Sequence, residues 1–446
     1  IRSPEEFARG LAGALVDGAA GEQYCDTDNH EAMLRMQRAA RRPQLEPLPA
    51  AGVPGFIARW QHLGGAEDLL DALEPLRALP LPAELWERAL LPARTGRDCA
   101  AELDALLAGG DLVLTGASTG RRHDLWLAAA DELDLLPRTQ RPASDLDARL
   151  EAALPDPRAR YDFDAFLAAS GDAAAAAALL WEAFFAGRVA AESFETIRHG
   201  LATGFTLPSL PAEPAATAGR HRGGLRARIR ARVHGVPGRF RRLPRPEVPD
   251  DEIDRLELAR RRARVLLDRW GVLCPTLLQR EARGLRWGDV FRALRLMELA
   301  GEVSAGHFLD GLEGPQFAAP DAVAMLRALG ESTAPDQSRW VDARDPASPA
   351  GLGLELAGLP APARRAGAAL VVDGGRVVLV SERGGESLRF DPEAPPGARE
   401  RALRALSGAL AASGADTIEV KLIDGAAAGG SDLVTLLAEA FEVSRE

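Results

Sequence analysis

The chain is 446 residues long, 46% hydrophobic and 27% charged, with a formal net charge of −11. It is too long for one hydrophobic core, so several domains are expected, and no run of about 18 apolar residues is present to cross a membrane as a helix. Cys25, Cys99 and Cys274 show no C-x-x-C spacing, and a single lysine, Lys421, excludes a G-x-x-x-x-G-K-[ST] phosphate loop. We therefore expect no disulfide framework, no metal site and no cofactor, and the chain reads as cytoplasmic.

The first pattern in the chain is G-x-Φ-Φ-D-G-x-x-G-x-Q-aromatic, carried by Gly13, Leu15, Val16, Asp17, Gly18, Gly21, Gln23 and Tyr24. Asp-Gly between apolar pairs predicts strand, tight turn, strand, because it supplies the positive φ that a hairpin needs. Little chain precedes it, so 1–42 is expected to hold the end of a truncated winged helix and a following helix over 29–42. Prolines 43, 47, 49 and 54 then lead into a short helix over 56–63 that ends at Gly64-Gly65. Further helices are expected over 69–79, 84–91 and 103–107, followed by β runs at 112–114 and 126–127. This makes 43–137 a second winged-helix module.

A third module is expected over 138–218, with Phe163 and Phe166 on one helix face and a helix over 173–185 ending at Gly187. The stretch 219–248 holds ten arginines between 220 and 245 and no acid in that span. It reads as a flexible solvated linker or as an electrostatic tether to phosphate, with Arg228 and Arg230 among the contacts. The fourth module, 249–330, is the clearest. It has a helix over 256–270, then Pro275 in the favoured first turn of the next helix. A helix over 287–299 follows, with Trp287, Phe291, Leu294 and Met297 on one stripe and Arg292 and Arg295 elsewhere on its surface. The opening pattern then returns with every spacing preserved, as Gly306, Phe308, Leu309, Asp310, Gly311, Gly314, Gln316 and Phe317. After two helical segments, this copy reads as a wing. Gly110-Asp111-Leu112, Gly187-Arg188-Val189 and Gly301-Glu302-Val303 share one punctuation of helix end, turn and strand.

The last module, 331–446, changes character. Short β runs at 369–372, 376–380 and 387–390 are joined by glycine turns, then a helix over 399–412, a strand over 417–423 and a helix over 432–441. The fold expected overall is mostly α with β wings: tandem winged-helix modules closed by a small α+β or β-barrel-like domain.

Tandem winged helices point toward nucleic acid, although such modules also bind proteins. Arg292 and Arg295 either reach phosphates and base edges or are solvated charges offset by Asp289 and Glu298. Asp17 and Asp310 read as turn residues. Gln23 and Gln316, each between a glycine and an aromatic in a strand, have little propensity reason to be there and suggest a specific hydrogen bond. Trp60-Gln61-His62 reads either as a pocket for a flipped base or as a buried tryptophan beside a satisfied amide.

Several stretches together resemble the C-terminal region of the large helicase-related (Lhr) family of bacterial DNA-repair helicases. They are 13–18 with Tyr24-Cys-Asp, 42–49, 56–63, Leu91-Pro-Ala-Arg94, 180–189, Asp268-Arg-Trp-Gly-Val272, 308–317, and Asp345-Pro346 followed by Pro349. The resemblance runs nearly end to end, apart from the arginine-rich stretch and the last ~50 residues. It implies ATPase lobes upstream in the same polypeptide, DNA (single-stranded or duplex) as ligand, self-association, and winged helices closed by a small barrel, similar to the AlkZ-type DNA glycosylases. Some members are credited with removing uracil from DNA. AlkZ-type enzymes use Q-x-Q or Q-x-D; here the nearest match is Gln61, with Leu63 in place of the second polar residue. Asp310 and Asp424 are further catalytic candidates, and Trp60, Arg94 and Gln316 join the arginines as candidate nucleic-acid contacts. Three functions follow in order of preference: a DNA-binding and assembly module, a uracil glycosylase, and a protein-interaction scaffold.

Overall fold

The computed structural model describes residues 13–18, 21–26, 45–118, 123–135, 145–207, 235–244, 251–281, 285–331, 337–414 and 417–430, with isolated positions in 28–36 and 437–444. At its start, β1 (Gly13–Gly18) pairs antiparallel with β2 (Gly21–Asp26), from Gly13↔Asp26 to Gly18↔Gly21. Asp17 therefore sits opposite Glu22 inside the ladder, one pair short of the turn.

The next unit contains α1 (Val53–Trp60), α2 (Leu69–Leu73), β3 (Leu81–Pro82), α3 (Leu91–Thr95), α4 (Ala100–Gly109), β4 (Leu112–Ser118) and β5 (His123–Ala129). Local chemistry sets these bounds. Asp68 caps α2 by accepting the Asp71 N–H at 3.0 Å. Pro92 occupies the first turn of α3, and Gly96, at φ +69°, ends it.

A further unit follows, with α5 (Asp145–Ala153), α6 (Phe163–Ser170), α7 (Ala173–Phe185), β6 (Val189–Ala191), α8 (Glu195–Thr203) and β7 (Phe240–Arg242). Asp162 and Asp172 cap α6 and α7 through the N–H groups of Asp164 and Ala175. The last winged unit runs through α9 (Glu252–Trp270), β8 (Val272–Leu273), α10 (Pro275–Leu278), α11 (Trp287–Ala300), β9 (Ser304–Gly306), β10 (Gln316–Ala318) and α12 (Pro320–Glu331).

All three units share one strand order, in which the closing strand lies between the other two. It is β3–β5–β4 in the first, β8–β10–β9 in the last, and the Tyr161 bridge followed by β7 and β6 in the middle one. The junctions before β4, β6 and β9 are the three punctuating glycines, with Gly110, Gly187 and Gly301 at φ of +90°, +69° and +80°. At the last two, the following N–H reaches back to the helix, from Arg188 to the Ala183 carbonyl and from Glu302 to that of Met297, each at 2.9 Å. These are Schellman closures, which satisfy helix-end carbonyls and turn the chain into the strand.

Within the stretch expected as a linker over 219–248, Phe240–Arg242 forms β7 and pairs with β6 of the middle unit. Phe-Arg-Arg is too short and too charged to announce a strand by alternation. Arg228 and Arg230 lie outside the described residues.

The two copies of the glycine–aspartate pattern adopt different registers. In the second, Gly306 pairs with Gln316, and a loop replaces the long ladder of the first. Leu309 leaves the wing to bridge Leu48, with the Leu48 N–H on the Phe308 carbonyl at 2.8 Å and the Asp310 N–H on the Leu48 carbonyl at 2.9 Å. Here Gly311 does supply the positive φ expected of Asp-Gly, at +80°.

β4 and β6 meet at Leu114↔Ala191, so two units form one five-stranded sheet over a shared core. The Thr115 hydroxyl donates across this seam to the Val189 carbonyl at 2.7 Å. A second core gathers Val53, Phe56 and Ile57 of α1 with Leu266 and Trp270 of α9, Leu309 and Phe317 of the last wing, and Val341 and Leu352 beyond it. Helix α1 thus belongs in sequence to one unit and packs in the core of another.

The terminal domain has β11 (Arg339–Asp342), β12 (Ala357–Gly358), β13 (Ala369–Asp373), β14 (Arg376–Glu382), β15 (Ser387–Phe390), α13 (Ala398–Ala412), β16 (Leu422–Ile423) and β17 (Ala426–Ala427). Gly374 and Gly375, at φ +57° and +78°, form a two-residue hairpin turn between Asp373 and Arg376. The sheet order is β11–β13–β14–β15–β16–β17, with β12 parallel to β14. It is an open mixed sheet, and no closing pair joins its ends among the described residues, in contrast to the expected barrel. Both faces of its centre are already covered. Val371, Val378 and Leu379 meet Leu403 and Leu406 of α13, while Leu370, Val372 and Val380 meet Leu356 and Leu359. The strand expected over 417–423 is reduced to its last two residues.

One tight crossing in the shared core lies where β4 passes the end of α7. A methyl group at Gly116 would stand 2.7 Å from the Phe185 Cα, which is backbone and cannot step aside. Gly116→Ala is expected to cost about 1–3 kcal/mol, read as a lower midpoint in thermal or urea unfolding. An unchanged midpoint would show that this crossing is loose.

Candidate nucleic-acid interface and the buried node behind it

Helix α11 occupies the position of a winged-helix recognition element, between α10 and the wing strands. Val290, Ala293, Leu294 and Met297 are buried, with Trp287 and Phe291 half-buried along the same stripe. Phe291 meets the wing through an edge-on contact with Phe317, ring centroids 5.7 Å apart. The opposite face holds Arg292, exposed and without an ion pair among the described residues. Arg295 is half-buried and tied to Glu298 one turn later. Leu296 and Leu299 are also exposed on this helix.

The wing beside α11 is organised by one side chain. Gln316 is 1% exposed and makes four hydrogen bonds. Its carbonyl oxygen accepts the N–H groups of Phe308 and Leu309 at 2.8 and 2.9 Å, and its amide donates to the carbonyls of Leu309 and Leu312 at 2.8 and 3.0 Å. It satisfies backbone that the short strands leave unpaired. Asp310 stands outward on the same loop, half-exposed, with His307 Nε2 at 2.8 Å from its carboxylate.

The sequence candidates Gln61 and Arg94 come together at a second place, buried between modules, with Trp60 next to Gln61 in sequence but packed on α9. Arg94 has no exposed surface and forms a fork with Asp345, Nη1 to Oδ2 at 2.9 Å and Nη2 to Oδ1 at 3.0 Å. It also donates to the Leu90 carbonyl at 2.9 Å and to the Gln61 amide oxygen at 3.2 Å. Gln61 is fully buried, and its amide nitrogen finds no partner among the described residues. Trp60 is half-buried, stacked near Phe56 and donating to the Asp268 carbonyl at 2.8 Å. A Cβ at Gly271 would lie 2.7 Å from its ring, so Gly271 admits the indole against α9.

A parallel lock holds α9 to the first winged unit. Arg269, 1% exposed, pairs with Glu281 and donates Nε to the Pro75 carbonyl at 3.0 Å, while Trp270 Nε1 donates to Glu281 at 2.6 Å. Asp424 lies apart in the terminal domain, exposed, at φ +50°, with one carboxylate oxygen accepting the Phe390 N–H at 2.7 Å. The structure thus joins Gln61 to Arg94 and Asp310 to Gln316, and leaves Asp424 and Arg292 separate. Glu281 and His307 were not singled out from sequence. Arg94 and Asp345 each stood in a quoted motif, yet nothing pairs residues 251 apart in a chain read alone.

Removing one member of the buried fork strands the other charge. Arg94→Met is expected to destabilise the protein by about 3–5 kcal/mol, and the double change Arg94→Met/Asp345→Leu to recover much of that loss. Thermal unfolding of the two variants checks this; a single variant melting with the wild type would refute it.

Comparison with known proteins places this geometry. Models described as "Large helicase-related protein, winged-helix domain" match residues 49–131 and 252–338. The chain is 29% identical over 449 aligned residues to a Mycolicibacterium smegmatis protein named "Lhr helicase/ probable uracil glycosylase", covering 94% of this chain and 29% of that protein. It is 27% identical over 381 aligned residues to the Escherichia coli protein named "Lhr helicase/uracil glycosylase", covering 76% of this chain and 23% of that one. The chain therefore spans less than a third of either relative. Among solved structures, the Streptomyces sahachiroi DNA glycosylase AlkZ superposes with a TM-score of 0.50 at 14% identity, over 84% of this chain and all of AlkZ, a likeness of fold. With its wings, strand order and module sequence, the chain carries two winged-helix domains of the large helicase-related type, resembles Lhr proteins over most of its length, and shares its fold with AlkZ.

Proposed function

We propose that this chain is the nucleic-acid-binding and assembly module of an Lhr-type DNA-repair helicase, whose ATPase lobes would lie elsewhere in the polypeptide. The observation that carries this reading is α11. Its apolar stripe is buried in the core, Arg292 projects to solvent without an acid partner among the described residues, and the Gln316-pinned wing flanks it. An exposed arginine on a packed helix beside a pinned wing suits phosphate contact, because little ordering entropy remains to oppose binding.

Binding to single-stranded and duplex oligonucleotides, followed by fluorescence anisotropy, is expected to weaken steeply as salt rises. Arg292→Ala should lower affinity several-fold and reduce the salt slope by about 1. Affinity that ignores salt would favour a protein-interaction scaffold.

A second reading, uracil excision, is supported by the names of the two relatives. A glycosylase breaks the bond between C1′ and the base, the electron pair leaving with the base. Water then adds to C1′ and gives its proton to a base such as a carboxylate. Gln61 is enclosed and its oxygen is committed to Arg94, whereas Asp310 and Asp424 each present a carboxylate to solvent. Incubating the chain without ATP on a uracil-containing strand, then cleaving abasic sites with alkali, tests this. Product lost in Asp310→Asn or Asp424→Asn would assign the carboxylate. No product from the wild type would remove the reading.

A further inference from the structure

β5 begins in an aromatic stack. Strand alternation puts His123, Leu125 and Leu127 on one face of β5; the two leucines enter the shared core, while His123, at its rim, is exposed. Its imidazole lies on two phenyl rings, with centroids 4.2 Å from that of Phe205 and 4.8 Å from that of Phe185, at interplanar angles of 33° and 47°. The two phenyl centroids are only 5.1 Å from each other. Both rings therefore lie to one side of the imidazole, and its exposed surface faces away from them.

The support beneath His123 is fixed by packing and by an unusual backbone. Phe205 is buried and has a φ of +57°, in the left-handed region that bulky side chains rarely adopt. Its N–H donates to the Gly200 carbonyl at 2.7 Å, which turns the chain back over α8. Gly200 leaves room for the ring, because a Cβ there would run into it. Trp181 meets Phe205 edge-on with centroids 5.0 Å apart, and Phe185, the last residue of α7, is wedged against Gly116 of β4. The strained residue thus serves to hold one exposed ring in place.

We propose that His123 is a stacking post for an unpaired base of single-stranded nucleic acid, with Phe185 and Phe205 fixing its orientation. The inference rests on the nucleic-acid reading above and adds a contact on a different winged unit from Arg292, with a preference for single strands. A base inside a duplex is stacked on both faces, whereas an unpaired one has a face to offer. A ring already held by its neighbours loses little freedom when a base stacks on it. In sequence, Arg121 and Arg122 immediately precede His123, and residues 208–234, which follow Phe205-Thr206-Leu207, hold six arginines against one acid, Glu213. These stretches lie outside the described residues and the site does not include them, but their charge favours a polyanion over a neutral or basic partner.

The test compares a short mixed-sequence DNA strand with the same strand carrying abasic spacers in place of its bases, so that phosphate charge is identical. The whole chain is titrated with each by fluorescence anisotropy, and with the matching duplex. The wild type is expected to bind the base-bearing strand roughly tenfold more tightly than the abasic one. His123→Leu still covers the two phenyl rings but offers no ring to a base, and it should lose that preference while duplex affinity stays unchanged. His123→Phe should keep the preference, and because it carries no charge its rescue separates stacking from attraction to phosphate. A wild type that treats the two strands alike, or a His123→Leu variant that still prefers the base-bearing one, overturns the inference and leaves His123 as packing or as a contact for a protein. If salt-dependent duplex binding persists in that case, the nucleic-acid reading stands without the post. If no strand is bound at any salt, both fall.

Discussion

The arrangement of this chain depends on a salt bridge that water does not reach. Arg94 and Asp345 lie 251 residues apart in sequence, and both are essentially without exposed surface. Desolvating the two charges costs several kcal/mol each, a debt that only close bidentate geometry and further hydrogen bonds offset. The fork, the Leu90 carbonyl, the Gln61 oxygen and the Ala347 N–H provide these together. Such a pair tolerates no sliding. The turn after β11 in the terminal domain is therefore fixed against α3 of the first winged unit, and Arg269 with Glu281 fixes α9 by the same logic.

Behind this frame, the glutamines have structural tasks that resemble each other. Gln61 completes the coordination of a buried guanidinium, and Gln316 substitutes for a missing stretch of ladder. Both face inward, which separates the groups that shape the protein from those that face solvent. Arg292, Asp310 and Asp424 belong to the second set.

Local order was readable from residues alone. The three punctuating glycines, Pro275 and the apolar stripe of α11 each follow from backbone geometry within a few residues, and the structure realises them. What stayed hidden was non-local. The second Asp-Gly copy takes its register from Leu48, more than 250 residues earlier, and a repeat in sequence cannot encode which neighbour its strand will meet. β7 escaped because three residues bearing two arginines carry no alternation. The barrel was inferred where an open sheet stands, because short strands and glycine turns are common to both, and only tertiary cover on each face decides between them. For the interface, the arginines of α11 were found from helical spacing, while the Arg94–Asp345 node required the fold.

Helix α1 bears on how this protein can evolve. Its apolar face is buried in the core of the last winged unit, although its chain continues into the first. A cut at either sequence boundary would leave one module with an exposed Val53–Phe56–Ile57 face and the other with a hole. Although the winged helices look like interchangeable beads, they are not units of exchange. Shuffling among relatives should move the ensemble from α1 to the terminal sheet as one piece, and drift within any single wing is constrained by partners hundreds of residues away.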